Sequence, residues 1–153
     1  MRALELKIPP PVVALLVALA MWGVSRDAAA LPAAEFARLP LALALAVVGA
    51  AFDVSGLIAF RRARTTINPM KPQATSSIVD SGVYRLTRNP MYVGLTGLYL
   101  GVTVLIDSLW PLLLLPMVLV ALYFFVIRRE ERYLAARFGA DYEDYRRRVR
   151  RWF

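Results

Sequence analysis

The chain has 153 residues, 59% of them hydrophobic, with a mean hydropathy of +0.53, which is more apolar than an ordinary soluble domain and points to a membrane protein. Cysteine and histidine are both absent, which excludes disulfides, thiol nucleophiles, a histidine general base and metal or haem ligation by either residue; no metal site is expected. The formal charge of +8 is read as attraction to anionic lipid headgroups rather than to nucleic acid.

Crossing the hydrocarbon takes roughly 20 apolar residues in a helix. Four stretches are candidates, at about 8–24, 39–60, 91–106 and 109–127; the first and third are short and need tilt, local thinning or protein neighbours. The expected fold is therefore all-α: one polytopic membrane domain over 1–153, with four transmembrane helices, a polar loop at 61–89 and C-terminal helices over 128–151. Residues 1–30 share the basic start and apolar core of a secretory signal, with Ala28-Ala29-Ala30 as a possible cleavage site. Pro9-Pro10-Pro11 suits a helix start better, so this segment is read as the first span.

Helix two carries Gly49, Asp53 and Gly56 on one face, where small residues permit close helix approach. A carboxylate at that depth is costly in lipid. Asp53 is expected either to hydrogen-bond a neighbouring helix or to contact substrate.

The 61–89 segment is far longer than a turn. Thr65–Pro72 reads as proline-stiffened and irregular; Thr75-Ser76-Ser77, Ile78-Val79 and the turn Asp80-Ser81-Gly82 read as an ordered loop folded on the membrane face. Asn89 is expected to cap helix three, with Pro90 at its first position. Gly94, Gly97 and Gly101 share a face that serves helix packing or admits a ligand near Gly94. Asp107-Ser108 makes a tight return into helix four.

Helix four is expected to run past the membrane to Phe138, with a kink at Pro116 and Gly139 as its terminator. Glu130, Leu134 and Phe138 then share its apolar face, with Glu131 beside them. A carboxylate on that face needs a partner, either a nearby arginine or a ligand. Asp141 is expected to cap a last helix with a Tyr142, Tyr145, Val149 and Trp152 stripe among five arginines, lying in the headgroup layer.

Four crossings put seventeen of the nineteen Lys and Arg residues on one side, leaving Arg26 and Arg38 opposite. By the positive-inside rule the crowded side is cytoplasmic, which implies cytoplasmic termini and an inner (plasma) membrane location. On that side Glu130, Tyr84, Tyr92 and the backbone amides opening helix three suit a zwitterionic ligand with a positive centre.

Asp80-Ser81-Gly82-Val83-Tyr84-Arg85, Arg88-Asn89-Pro90-Met91-Tyr92-Val93-Gly94 and Glu130-Glu131 with Leu134, Phe138-Gly139, Tyr142 and Tyr145 resemble the isoprenylcysteine carboxyl methyltransferase family. Its wider relatives are the integral-membrane phospholipid methyltransferases, and the similarity covers roughly 65–149. The resemblance implies S-adenosylmethionine as cofactor, held by Ser76, Ser77, Ile78, Val79, Tyr84, Asn89, Pro90, Met91, Tyr92, Gly94, Glu130 and Glu131. It implies methyl transfer to a lipophilic or lipid acceptor, by carboxyl or hydroxyl O-methylation or lipid amine N-methylation. Asn89 stands where many relatives have His. Val126 stands where the carboxyl methyltransferases have a substrate-binding Arg, so Arg128 or Arg129, with Asp53, is expected at the acceptor. The rival reading is a non-enzymatic membrane scaffold binding partners or anionic lipid through its basic face; a small transporter has only Asp53 in its favour.

Overall fold

A computed structural model describes residues 19–23, 30–31, 34–65 and 75–153. Its elements are α1 (Glu35–Arg62), a 3₁₀ turn (Gly82–Arg85), α2 (Pro90–Leu105), α3 (Trp110–Leu122), a π-turn (Tyr123–Ile127), α4 (Arg128–Phe138) and α5 (Ala140–Arg148). Residues 19–23 are also helical; the rest of the expected first span lies outside the described residues, as do 66–74 of the loop. The described residues are all-helical, with no strand among them.

Two helical runs, Glu35–Arg62 and the continuous Trp110–Phe138, are long and apolar enough to cross a membrane, and Pro90–Leu105 is a shorter apolar helix. At 1.5 Å per residue α1 is about 42 Å long, more than the hydrocarbon core requires. These helices bury little of their surface. Val47, Leu113, Met117 and Phe125 are each about two-thirds exposed, with further apolar side chains around them. The core helix of a soluble protein would cover such residues, so this girdle calls for hydrocarbon around it.

Helices α1 and α2 approach until backbone meets backbone. A Cβ on Gly49 would stand 2.6 Å from the Gly94 carbonyl oxygen, and one on Gly101 would stand 3.0 Å from that of Ala42. The glycines of both expected faces thus meet each other. Asp107, at φ +51°, makes the return from α2 to α3. Its carboxylate accepts from the Leu31 amide at 3.0 Å and pairs with Arg38 at 2.6 Å, tying the far end of α1 to the hairpin. Across the hairpin the Tyr99 hydroxyl donates to the Pro111 carbonyl at 2.6 Å.

Three local expectations are corrected. The departure from α geometry in the long helix falls at Tyr123–Ile127, rather than at Pro116, which sits inside α3. Asp141 lies in the first turn of α5; the position before that helix belongs to Gly139, whose φ of +53° turns the chain sharply out of α4. The apolar stripe of the last helix faces protein rather than lipid. Tyr142, Tyr145 and Val149 are buried against Ile78, Leu134, Ala135 and Phe138, so protein covers the stripe expected to meet lipid. The stripe also stops short of Trp152, because the chain turns extended at Val149.

Candidate functional site

The near ends of α1, α2 and α4 converge where the loop from Ser76 to Asn89 crosses them. The loop is pinned to the end of α1: the Ser76 amide donates to Thr65 Oγ1 at 2.9 Å, and the Ser76 and Ser77 hydroxyls donate to the carbonyls of Arg64 and Ala63. Ile78 and Val79 then diverge. Ile78 packs on the α4–α5 cluster, and Val79 is buried with Ala59 and Tyr84 beside Phe60.

Tyr84, delivered by the 3₁₀ turn, stacks edge-on to Phe60 at 5.5 Å. The buried Tyr145 hydroxyl donates to its carbonyl at 2.8 Å. Burial pushes the Tyr84 phenol well above its ordinary range, with the charges of Tyr145, Glu130 and Asp53 adding to the rise. It is held as a neutral hydroxyl.

Asn89 does not cap α2 with its side chain. Its Nδ2 donates instead to the Arg151 carbonyl at 3.0 Å, while its own carbonyl receives the Tyr92 and Val93 amides. Pro90 does occupy the first position of α2, and it is buried. Gly94 has no room for a side chain. Asp53 and the Gly49 carbonyl oxygen fill the place a Cβ would take, so α1 occupies the space in which a ligand was expected to approach. Asp53 itself forms no hydrogen bond or ion pair among the described residues.

The two adjacent glutamates behave differently. Glu131 pairs with Arg88 at 3.0 Å and takes a two-pronged bond from Arg151, Nε to Oε1 at 3.0 Å and Nη2 to Oε2 at 2.8 Å. Glu130 pairs with no cation among the described residues. It receives the Tyr92 hydroxyl at 3.5 Å, a long contact. Burial pushes its carboxyl up to about 7, with the Glu131 charge adding to the rise and the Tyr92 hydrogen bond opposing it. Two of the arginines that could have partnered it, Arg88 and Arg151, are spent on its neighbour. A half-buried carboxylate lacking a cation, beside two aromatic hydroxyls and a helix mouth, is suited to a ligand with a positive centre or hydroxyl donors.

Further along the bundle, a cavity of about 560 Å³ lies between α1, α2 and α3. It is lined by Val48, Gly49, Phe52, Val93, Thr96, Gly97, Leu100, Leu119, Val120, Tyr123, Trp152 and Phe153. That volume falls within the range of roughly 300–1,000 Å³ typical of small-molecule pockets. Arg128, Arg129 and Asp53 are not among its lining side chains, although Phe52 adjoins Asp53 in the chain. Arg128 is exposed and Arg129 half-buried on α4.

The chain matches the phospholipid methyltransferase family model over residues 37–141. It belongs to that family. Within the family frame, it is also 38% identical over 72 residues to the protein-S-isoprenylcysteine O-methyltransferase of Schizosaccharomyces pombe. That similarity covers 47% of this chain and 30% of the relative, so the chain spans under a third of that protein's length. No solved structure matches it. Family membership and the two long apolar helices support membrane association, and the matched region includes Tyr84, Asn89, Tyr92, Glu130 and Glu131.

Several contributors escape a sequence reading. Arg88 sits inside a quoted motif, yet its pairing with Glu131 has no local signature. Thr87, Arg151 and the cavity walls Phe52 and Tyr123 carry no signal, because their partners lie tens of residues away.

Proposed function

We propose that the protein is an S-adenosylmethionine-dependent methyltransferase acting on a lipophilic or membrane-embedded acceptor, with its cofactor at the Glu130–Tyr92 mouth. The observation that carries this reading is Glu130: half-buried, with no cation partner among the described residues, and 3.5 Å from the Tyr92 hydroxyl, while Arg88 and Arg151 pair with Glu131. The residues present fit such a group. Glu130 can accept hydroxyl donors or face a positive centre, Tyr84 and Tyr92 offer aromatic faces, and the α2 mouth begins at Pro90. Ser76 to Val79 supply the loop edge, with Asn89 and Met91 completing the helix mouth.

When bound, the cofactor would supply an electrophilic sulfonium methyl for in-line displacement. The protein's part is to hold donor and acceptor in line, an effect that can supply on the order of 7–11 kcal/mol. The apolar cavity holds the acceptor's hydrocarbon within the membrane, and the water-side mouth admits the cofactor. A carboxylate acceptor would arrive already nucleophilic, whereas an amine or hydroxyl must lose a proton. Four spans, cytoplasmic termini and an inner-membrane location accompany the proposal, on the strength of the charge asymmetry.

The test is calorimetric titration of detergent-purified protein with S-adenosylhomocysteine, alongside Glu130→Ala. Saturable binding that is much weaker in the variant supports the site. A well-folded wild type that ignores the ligand even at millimolar concentration removes the enzymatic reading and favours a membrane scaffold.

A further inference from the structure

The segment after α5 runs extended from Val149 and returns to the mouth of α2. Its backbone is bound at successive carbonyls. That of Arg150 accepts from the Arg88 amide at 3.0 Å, and that of Arg151 accepts from the Thr87 hydroxyl at 2.9 Å and from Asn89 Nδ2 at 3.0 Å. Thr87 is fully buried beneath this contact. The Arg151 side chain grips both oxygens of Glu131, and its guanidinium lies 5.0 Å over the Tyr123 ring. Beyond that anchor the chain changes character. Trp152 and Phe153 enter the apolar cavity wall, with Phe153 edge-on to Phe52 at 6.1 Å.

A solvated tail has no reason to place two large aromatics along an apolar cavity, nor to bury a hydroxyl and commit an arginine to a two-pronged ion pair in holding them there. We propose that this tail is a latched wall of the acceptor pocket. Trp152 and Phe153 set how long a hydrocarbon chain the pocket takes, and Arg151, through Glu131 and Tyr123, is the positioning residue that keeps them in place. The occupant is one hydrocarbon chain of a membrane-dissolved lipid, since the lining is almost wholly apolar and the α1 and α3 walls also carry the exposed apolar girdle. The latch also joins the two halves of the site. Glu131, which Arg151 grips, adjoins Glu130 in the chain, so a tail movement would be felt at the mouth. This inference rests on the lipophilic-acceptor reading and deepens it.

The test uses the full chain in phosphatidylcholine nanodiscs, with Trp22→Phe and Trp110→Phe leaving Trp152 as the fluorophore. The probes are n-alkyl alcohols of increasing length carrying a terminal bromine, which quenches tryptophan on contact. Saturable quenching is expected, with a preferred length that moves to longer homologues in Phe153→Ala. Arg151→Ala is expected to weaken binding by about tenfold, as loss of a two-pronged charged pair would, and Arg151→Lys to restore only part of it. An unchanged length preference in Phe153→Ala overturns the wall. Unchanged affinity in Arg151→Ala overturns the latch. Titration of the same samples with S-adenosylhomocysteine reads the mouth separately: its loss with chain binding intact would sink the cofactor reading and leave the wall standing.

Discussion

Arg151 binds both carboxylate oxygens of Glu131, at 3.0 and 2.8 Å, and so joins the extended tail to α4 across twenty residues of chain. Arg88 reaches the same carboxylate from the loop before α2, at 3.0 Å. Glu131 is thereby the electrostatic centre of the water-side end, and its neighbour Glu130 is left for something else.

The two glutamates should separate cleanly in a stability experiment. Glu131→Ala strands Arg88, whose side chain is 10% exposed, and should cost about 3–5 kcal/mol. Glu130→Gln removes a carboxylate that has no cation partner among the described residues and should leave stability equal or slightly higher. Thermal melts in one detergent compare them, and equal losses would refute the division of roles.

Glu130 also gives a pH dependence. Its carboxyl is raised from 4.5 to about 7 in the folded protein, so between those values the native state holds a proton that the unfolded chain has released. Its contribution to ligand-free stability is therefore full below about 4.5 and is lost as pH rises through about 7. A ligand that needs the ionised carboxylate should show the opposite trend, binding more tightly up to about pH 7 and levelling off above it. Glu130→Gln should flatten the binding profile and make the stability profile shallower, and unchanged slopes in the variant would assign them to another group.

Gly49 and Gly23 form a matched pair for the helix contact. A Cβ on Gly49 meets backbone atoms of α2 at 2.6 and 2.9 Å, which cannot rotate away, so Gly49→Ala should cost about 1–3 kcal/mol. Gly23 has nothing within 4 Å among the described residues, so Gly23→Ala should be close to neutral. Equal melting temperatures for the two variants would contradict the packing described.

Tyr145→Phe removes one oxygen and strands the buried Tyr84 carbonyl it served at 2.8 Å. A loss of about 1–3 kcal/mol is expected. The same variant should weaken S-adenosylhomocysteine binding only modestly, because Tyr84 remains packed on Phe60. Loss of all binding without loss of stability would place Tyr145 itself in the ligand site.

Among the described residues the helices were legible in the chain's own pattern, because hydrophobic length and the start and stop residues act locally. Pro90 opens α2, Asp107-Ser108 turns the hairpin and Gly139 ends α4, each within about a residue of expectation. It also named the family, since the motif blocks are contiguous. How those residues are spent depends on long-range packing. Asn89 has the chemistry of a helix cap yet holds the Arg151 carbonyl, and the aromatic stripe of α5 has the pattern of an interfacial helix yet finds α4 to bury it. Which of two adjacent glutamates receives the arginines depends on where Arg88 and Arg151 arrive from 43 residues before and 20 residues after Glu131 in the chain. A one-dimensional pattern carries the appetite of a side chain for a partner. It does not carry the distance to one.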